Sequence, residues 1–213
     1  MLEIKICGLR READIEAANR LLPDYVGFVF APGARQVAPS RAAELRSGLD
    51  GRVKPVGVFV NAPAVEVART ARLCGLRAVQ LHGEEGADEV RALRALLPEG
   101  CEVWRAARVR RAEDIRAAAR TGADRLVLDA YSAGANGGTG LRFDWGLLRA
   151  LPPGAPFFLA GGLTPENAAQ AARAALRADS GGGSGLDVSS GVETGGFKDA
   201  AKIERFLRAA KEA

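Results

Sequence analysis

Eight short apolar runs, each followed by a stretch of helical periodicity, recur along the chain. They read as strands at Glu3–Cys7, Val26–Phe30, Pro55–Val60, Ala78–Leu81, Glu102–Ala106, Arg125–Asp129, Pro156–Ala160 and Gly185–Val188. Several are continuously apolar, as in Val56-Gly57-Val58-Phe59-Val60, the pattern of strands covered by helices on both faces of a parallel sheet. Between them, Ile15, Ala18 and Leu22 share one helical face, as do Val65, Ala68 and Leu73, and Ala200, Ile203, Leu207 and Ala210. Thr164 and Pro165 read as the N-cap and first residue of the seventh helix, and Asp144 as the cap of a short sixth one. With no long linker and no break in composition, eight β/α units in a row predict one closed α/β barrel, a (βα)8 TIM barrel forming a single domain over residues 1–213. A doubly wound open sheet rarely uses eight units, and the usual dinucleotide glycine fingerprint is missing after the first strand.

Composition narrows the function classes. No run approaches the roughly 20 apolar residues of a membrane span. The N-terminus lacks a basic segment followed by an apolar run, so no secretory signal is expected. Three cysteines, Cys7, Cys74 and Cys101, are an odd number without metal-site spacing and fit thiols in a reducing cytoplasm. A single histidine, His82, excludes a multi-histidine metal centre. The net charge of +4 is carried by arginines spread over the helices without interleaved aromatics, so a nucleic-acid partner is not expected. A local excess at Arg105, Arg108, Arg110 and Arg111 reads as a solvated loop in preference to a device for steering anionic substrate.

In a parallel barrel the active site lies at the C-terminal ends of the strands. Cys7 ends strand one and Asp129 ends strand six, so the two face one another at the mouth. Taken alone, Cys7 could be a small buried hydrophobe and Asp129 a structural carboxylate capping the next loop. Together they could give and take protons without a metal. Lys5 is assigned to the opposite face of strand one. Two motifs end strands seven and eight: Gly161-Gly162-Leu163-Thr164-Pro165 and Asp187-Val188-Ser189-Ser190-Gly191. Loops at these positions are a frequent phosphate site, which implies a phosphorylated small molecule as ligand. Asp187 reads as a buried, hydrogen-bonded acid beside that loop. Arg35, after strand two, is either a solvated arginine or a fork for a carboxylate. His82, ending strand four, orients loops by hydrogen bonding rather than doing chemistry and, like Asp187, is counted among the substrate-binding residues. The glycine-rich stretch 130–142 is a lid candidate on the catalytic face, and Ser180–Gly185 a plain connector.

The ordered set Lys5-Ile6-Cys7-Gly8, Gly27-Phe28-Val29-Phe30, Gly57-Val58-Phe59-Val60-Asn61, Val79-Gln80-Leu81-His82-Gly83, Leu128-Asp129, Gly137-Gly138-Thr139-Gly140 with Phe143-Asp144-Trp145, Gly161-Gly162-Leu163-Thr164-Pro165-Glu166-Asn167 and Asp187-Val188-Ser189-Ser190-Gly191-Val192-Glu193 resembles the phosphoribosylanthranilate isomerases. That resemblance implies a barrel of tryptophan biosynthesis. The implied reaction is an Amadori rearrangement of N-(5-phosphoribosyl)anthranilate to 1-(2-carboxyphenylamino)-1-deoxyribulose 5-phosphate, needing no cofactor. It makes Asp129 the general acid that opens the ribose ring and Cys7 the general base that takes the C2 proton. Arg35 would hold the anthranilate carboxylate, and Gly161, Gly162, Ser189, Ser190 and Gly191 would form the phosphate cradle. A thiol base requires surroundings that favour thiolate. Arg10 stands where many relatives have a threonine that could cap the first helix, which leaves local stability in question. The related histidine-pathway isomerase uses a carboxylate at the position of Cys7, and indole-glycerol-phosphate synthase needs a lysine acid and an N-terminal extension. A non-catalytic phosphosugar-binding barrel would need neither Cys7 nor Asp129. The sequence leaves a monomer or a homodimer open.

Overall fold

The computed structural model describes residues 2–130 and 144–213. Eight parallel strands close on themselves: β1 (Glu3–Cys7), β2 (Tyr25–Val29), β3 (Lys54–Phe59), β4 (Ala78–Leu81), β5 (Glu102–Val109), β6 (Arg125–Ala130), β7 (Phe157–Leu159) and β8 (Ser184–Val188). Closure is made by β1 against β8, with Lys5 level with Asp187. Helices α1 (Glu12–Leu21), α2 (Pro39–Ser47), α3 (Ala64–Cys74), α4 (Ala87–Arg94) and α5 (Ala112–Ala119) follow the first five strands. A 3-10 turn (Trp145–Ala150) precedes β7, α6 (Ala168–Ala178) follows it, and a β9–β10 hairpin (Glu193–Thr194, Phe197–Lys198) leads from β8 to α7 (Ala200–Lys211). No described helix is long and apolar enough to cross a membrane. The stretch read as a lid lies outside the described residues, apart from Ala130 at the end of β6.

Each strand sends alternate side chains to opposite faces. One set meets the helices in a large apolar shell that includes Ile4, Ile6, Val26, Phe28, Val79 and Leu128. The other set fills the barrel: Tyr25, Val56, Ala78, Trp104, Ala106, Val127, Phe158 and Ala160 form a separate buried cluster. At its base the rings of Tyr25, Trp104 and Phe158 lie 5.0–5.6 Å apart, and the Arg125 guanidinium sits 5.1 Å from the Phe158 ring, paired with Glu3. This plug closes the lower end, so the inward positions at the opposite end of the strands are the ones left open to form a cavity.

Four local expectations are corrected. The helix after β7 starts at Ala168, not at Pro165. Gly161 and Gly162 take left-handed φ values of 83° and 63°, and Asn167 locks the turn that follows by accepting from the Thr164 N–H at 2.9 Å and donating to the Gly162 carbonyl at 2.8 Å. On α3 the inward face is Val67, Ala68, Thr70, Ala71 and Cys74, while Val65 and Leu73 are exposed. The spacing of those two fitted a helical stripe, but a stripe of opposite phase carries more apolar side chains. β5 runs to Val109, beyond the expected Ala106, so Arg105 and Arg108 belong to a strand and not to a solvated loop. The N-terminus of α1, where Arg10 left the cap in question, is capped from within by Asp14, whose carboxylate accepts from the N–H groups of Arg10 at 2.9 Å and Arg11 at 3.1 Å.

Replacing Trp104 by alanine should lower stability by about 3–5 kcal/mol, because a fully buried ring wedged between two others leaves a cavity the barrel cannot collapse into. Denaturant titration followed by circular dichroism measures this; a loss below about 1 kcal/mol would mean that the plug does not support the barrel.

Candidate active site

The open end of the barrel holds a cavity of about 760 Å³. Its lining includes Cys7, Arg35, His82, Asp129, Gly161, Gly162, Asp187, Ser189 and Ser190, so nearly every residue singled out in the sequence converges there. The exception is Gly191, one residue beyond the lining. A Cβ at Gly191 would lie 1.8 Å from the Leu163 carbonyl oxygen, so glycine is what lets the loops after β7 and β8 press together. The Ser189 hydroxyl donates to the Cys7 carbonyl at 2.9 Å and ties the β8 loop to the end of β1.

Lys5 overturns its assignment to the opposite face. Residues two apart on a strand share a face, so Lys5 lies directly below Cys7 inside the barrel. It is fully buried and donates to Asp187 at 2.8 Å and to Gln80 at 2.9 Å. Since an ammonium only donates, the Gln80 oxygen must face it, which leaves the Gln80 amide nitrogen for His82 Nδ1 at 3.1 Å. Nδ1 then accepts, the His82 proton sits on Nε2, and Nε2 points at the Asp129 carboxylate 3.5 Å away. A polar chain thus runs across the cavity floor from Asp187 through Lys5, Gln80 and His82 to Asp129.

Electrostatics at the sulfur are divided. Burial pushes the Cys7 thiol above its ordinary pKa; Lys5 and Lys198 pull it down, and Asp187 adds to the rise. The cations that a thiolate needs are therefore present, yet the balance keeps the proton on sulfur, contrary to the expectation of surroundings that favour thiolate. Burial also works against the charge of Lys5, but Asp187 and Cys7 outweigh it and hold the ammonium above its ordinary value.

Arg35 is at the mouth but not idle. Its Nε and Nη2 both donate to the Glu193 carboxylate at 2.8 Å. The sequence reading gave no site role to Lys5, Gln80, Glu193 and Lys198, and set Arg108 aside as part of a solvated loop. Lys5 and Gln80 each precede a recognised residue by two on the same strand, a parity that the sequence displays. Arg108, level with Asp129 on the neighbouring strand, lines the cavity because β5 continues past Ala106. Glu193 closes the motif quoted after strand eight, but that motif does not name its partners, and Lys198 carries no local signal.

A closed parallel barrel with a thiol, a carboxyl group and an imidazole converging on one cavity at its strand ends has the architecture of a barrel enzyme. The chain belongs to the phosphoribosylanthranilate isomerase family: the model for N-(5'phosphoribosyl)anthranilate (PRA) isomerase matches residues 4–209. It is 42% identical to the N-(5'-phosphoribosyl)anthranilate isomerase of Acetivibrio thermocellus over 99% of this chain and 96% of that one. The crystal structure of phosphoribosyl anthranilate isomerase from Thermotoga maritima superposes with a TM-score of 0.85 at 32% identity, covering 100% of both chains. A phosphoribosyl anthranilate isomerase in complex with reduced 1-(o-carboxyphenylamino)-1-deoxyribulose 5-phosphate does so with a TM-score of 0.81 at 30% identity, again covering 100% of both.

Peptide-resolved alkylation of Cys7 should be slow at neutral pH and reach its midpoint above the roughly 8.5 of a free thiol. Removing Lys5 and Asp187 together (Lys5→Met with Asp187→Asn) avoids stranding one buried charge, and should move that midpoint higher still, because Lys5 acts on the sulfur more strongly than Asp187. A wild-type midpoint below that of a free thiol would overturn this account of the site.

Proposed function

We propose that Cys7 and Asp129 divide the proton transfers of the isomerisation that gives this family its name. The chain is an aldose–ketose isomerase of tryptophan biosynthesis, turning the aminoaldose N-(5-phosphoribosyl)anthranilate into the aminoketose 1-(2-carboxyphenylamino)-1-deoxyribulose 5-phosphate. The observation that carries the division of labour is that a thiol and a carboxyl group line the same cavity from strands three steps apart around the barrel, β1 and β6.

Asp129, in its acid form, protonates the ribose ring oxygen as the C1–O bond breaks, and the nitrogen lone pair forms the Schiff base. The resulting iminium acidifies the C2 hydrogen. Cys7, as thiolate, removes that proton, and the electrons of the C–H bond move to make the enolamine. Tautomerisation of the enolamine then gives the ketone. The base is formed at some cost, since burial favours the thiol, but Lys5 and Lys198 reduce that cost. Arg35 takes the anthranilate carboxylate, and the loops at Gly161-Gly162 and Ser189-Ser190-Gly191 take the phosphate. His82 holds Asp129 in place through its Nε2 proton. Three unpaired thiols support a reducing cytoplasm as the compartment.

The test is loss of anthranilate-type fluorescence when purified protein meets freshly made phosphoribosylanthranilate. Cys7→Ser and Asp129→Asn should each cut kcat by about 10²–10⁴-fold while remaining folded, the range expected for a positioned acid or base. Arg35→Met should chiefly raise KM. Activity retained in Cys7→Ser would leave the reaction standing and remove Cys7 as the base; wild-type protein that binds product without turnover would make the barrel a binding module.

A further inference from the structure

Glu193 is the last residue of the β8 loop motif, and Lys198 lies directly opposite it in the β9–β10 hairpin, which turns through Gly195 and Gly196 at left-handed φ values of 59° and 78°. Directly opposed residues of an antiparallel pair share a face. Lys198 accordingly donates to Glu193 at 2.6 Å, and both side chains are buried. The other side of Glu193 faces Arg35, as described above. The carboxylate is thus gripped by two cations, and burial, which would raise its pKa, is outweighed by Arg35 and Lys198. Burial pulls Lys198 below its ordinary pKa and Glu193 offsets only part of that, so the trio carries a net charge of +1 as long as Lys198 is protonated. A lone Arg35–Glu193 pair would be neutral and would offer an incoming carboxylate little attraction; Lys198 restores the surplus.

Arg35 is confined on its remaining sides. A Cβ at Gly8 would lie 2.7 Å from the Arg35 Cδ, so its stem lies flat against the turn after β1. Arg10 bridges the loop that carries Arg35 to the hairpin that carries Lys198, donating to the Ala34 carbonyl at 2.6 Å and to the Gly196 carbonyl at 2.7 Å. Phe197 at the hairpin tip lies between the guanidinium groups of Arg10 and Arg11, 4.5 and 4.3 Å from its ring centre. With Nε and Nη2 committed, Nη1 is the guanidinium nitrogen of Arg35 that makes no hydrogen bond to a described residue.

We propose that Glu193, held by Lys198, is a positioning residue that orients Arg35 so that its Nη1 edge meets the substrate carboxylate. The same lysine donates to the Ser189 carbonyl at 3.0 Å, and Ser189 bonds the Cys7 carbonyl, so the carboxylate seat, the β8 loop and the strand end bearing the base are one bonded assembly. This proposal rests on the assignment of Arg35 to the anthranilate carboxylate.

The experiment compares the dissociation constants of two reduced product analogues, one with the ring carboxylate and one without it. Wild type should prefer the carboxylate form, and Arg35→Met should abolish the preference. Glu193→Gln should shrink it by about tenfold while leaving the carboxylate-free analogue within about twofold of wild type. Glu193→Asp keeps the charge on a shorter arm and should give an intermediate preference, providing the same readout if the glutamine variant does not fold. An unchanged or larger preference in the Glu193 variants would overturn the proposal, since Glu193 would then merely dilute the charge of Arg35. Equal weakening of both analogues would also overturn it by making Glu193 a brace of the loop alone. If Arg35→Met keeps the wild-type preference, it is the underlying assignment of Arg35 that falls.

Discussion

Lys5 and Asp187 meet across the seam where the barrel closes. They are level in the register of β1 and β8 and 182 residues apart in the chain, yet their charged atoms are 2.8 Å apart inside the barrel. A lone charge there would be costly, and removing one partner from such a pair typically costs about 3–5 kcal/mol, so each residue fixes the place of the other. The seam therefore has one acceptable register. That register sets Cys7 above Lys5, brings the loop after β8 against the end of β1, and lets Gln80 reach the ammonium from β4. Closing the sheet and building the floor of the site are the same event.

The floor then governs how protons are held above it. Cys7 is buried, which favours its neutral form, while the cations on either side favour the anion. Burial wins in the free protein. In the proposed reaction, a cationic iminium over the sulfur would add to the pull of Lys5 and Lys198 and make the thiolate more accessible. On the far side, the Gln80 amide fixes the tautomer of His82 and turns a proton toward Asp129. Lys5, Gln80 and His82 thus link the floor beneath Cys7 to Asp129 on the far strand.

The rim is held by a different principle, close approach of backbone. Gly191 against the Leu163 carbonyl and Gly8 against the stem of Arg35 leave no room for a Cβ. The β9–β10 hairpin then adds Glu193 and Lys198 to the rim, with the exposed Phe197 lying against two guanidinium groups. Rim and floor share Ser189 and Lys198, so the two anion-binding ends proposed for the cavity are mechanically connected to the strand that carries the thiol.

Most of this architecture was legible in the chain. The eight apolar runs located all eight strands, and their order placed Cys7, Asp129, His82 and the two loop motifs at one end. Those features depend on local pattern, because strand period, turn residues and strand direction act over a few residues. Lys5 was set on the wrong face, although parity alone puts it beneath Cys7. The boundaries were less legible: Asn167 reaching back to Gly162 delays α6, and pairing with β6 prolongs β5 past Ala106. What only the tertiary structure decided is who neutralises whom. The grip of Glu193 on Arg35 spans 158 residues and that of Lys5 on Asp187 spans 182, and no sequence spacing encodes such partners. Periodicity determines which way a side chain points; the closing of the barrel determines which opposite charge it finds there, and in a buried site that choice sets both the position of a guanidinium and the proton on a thiol.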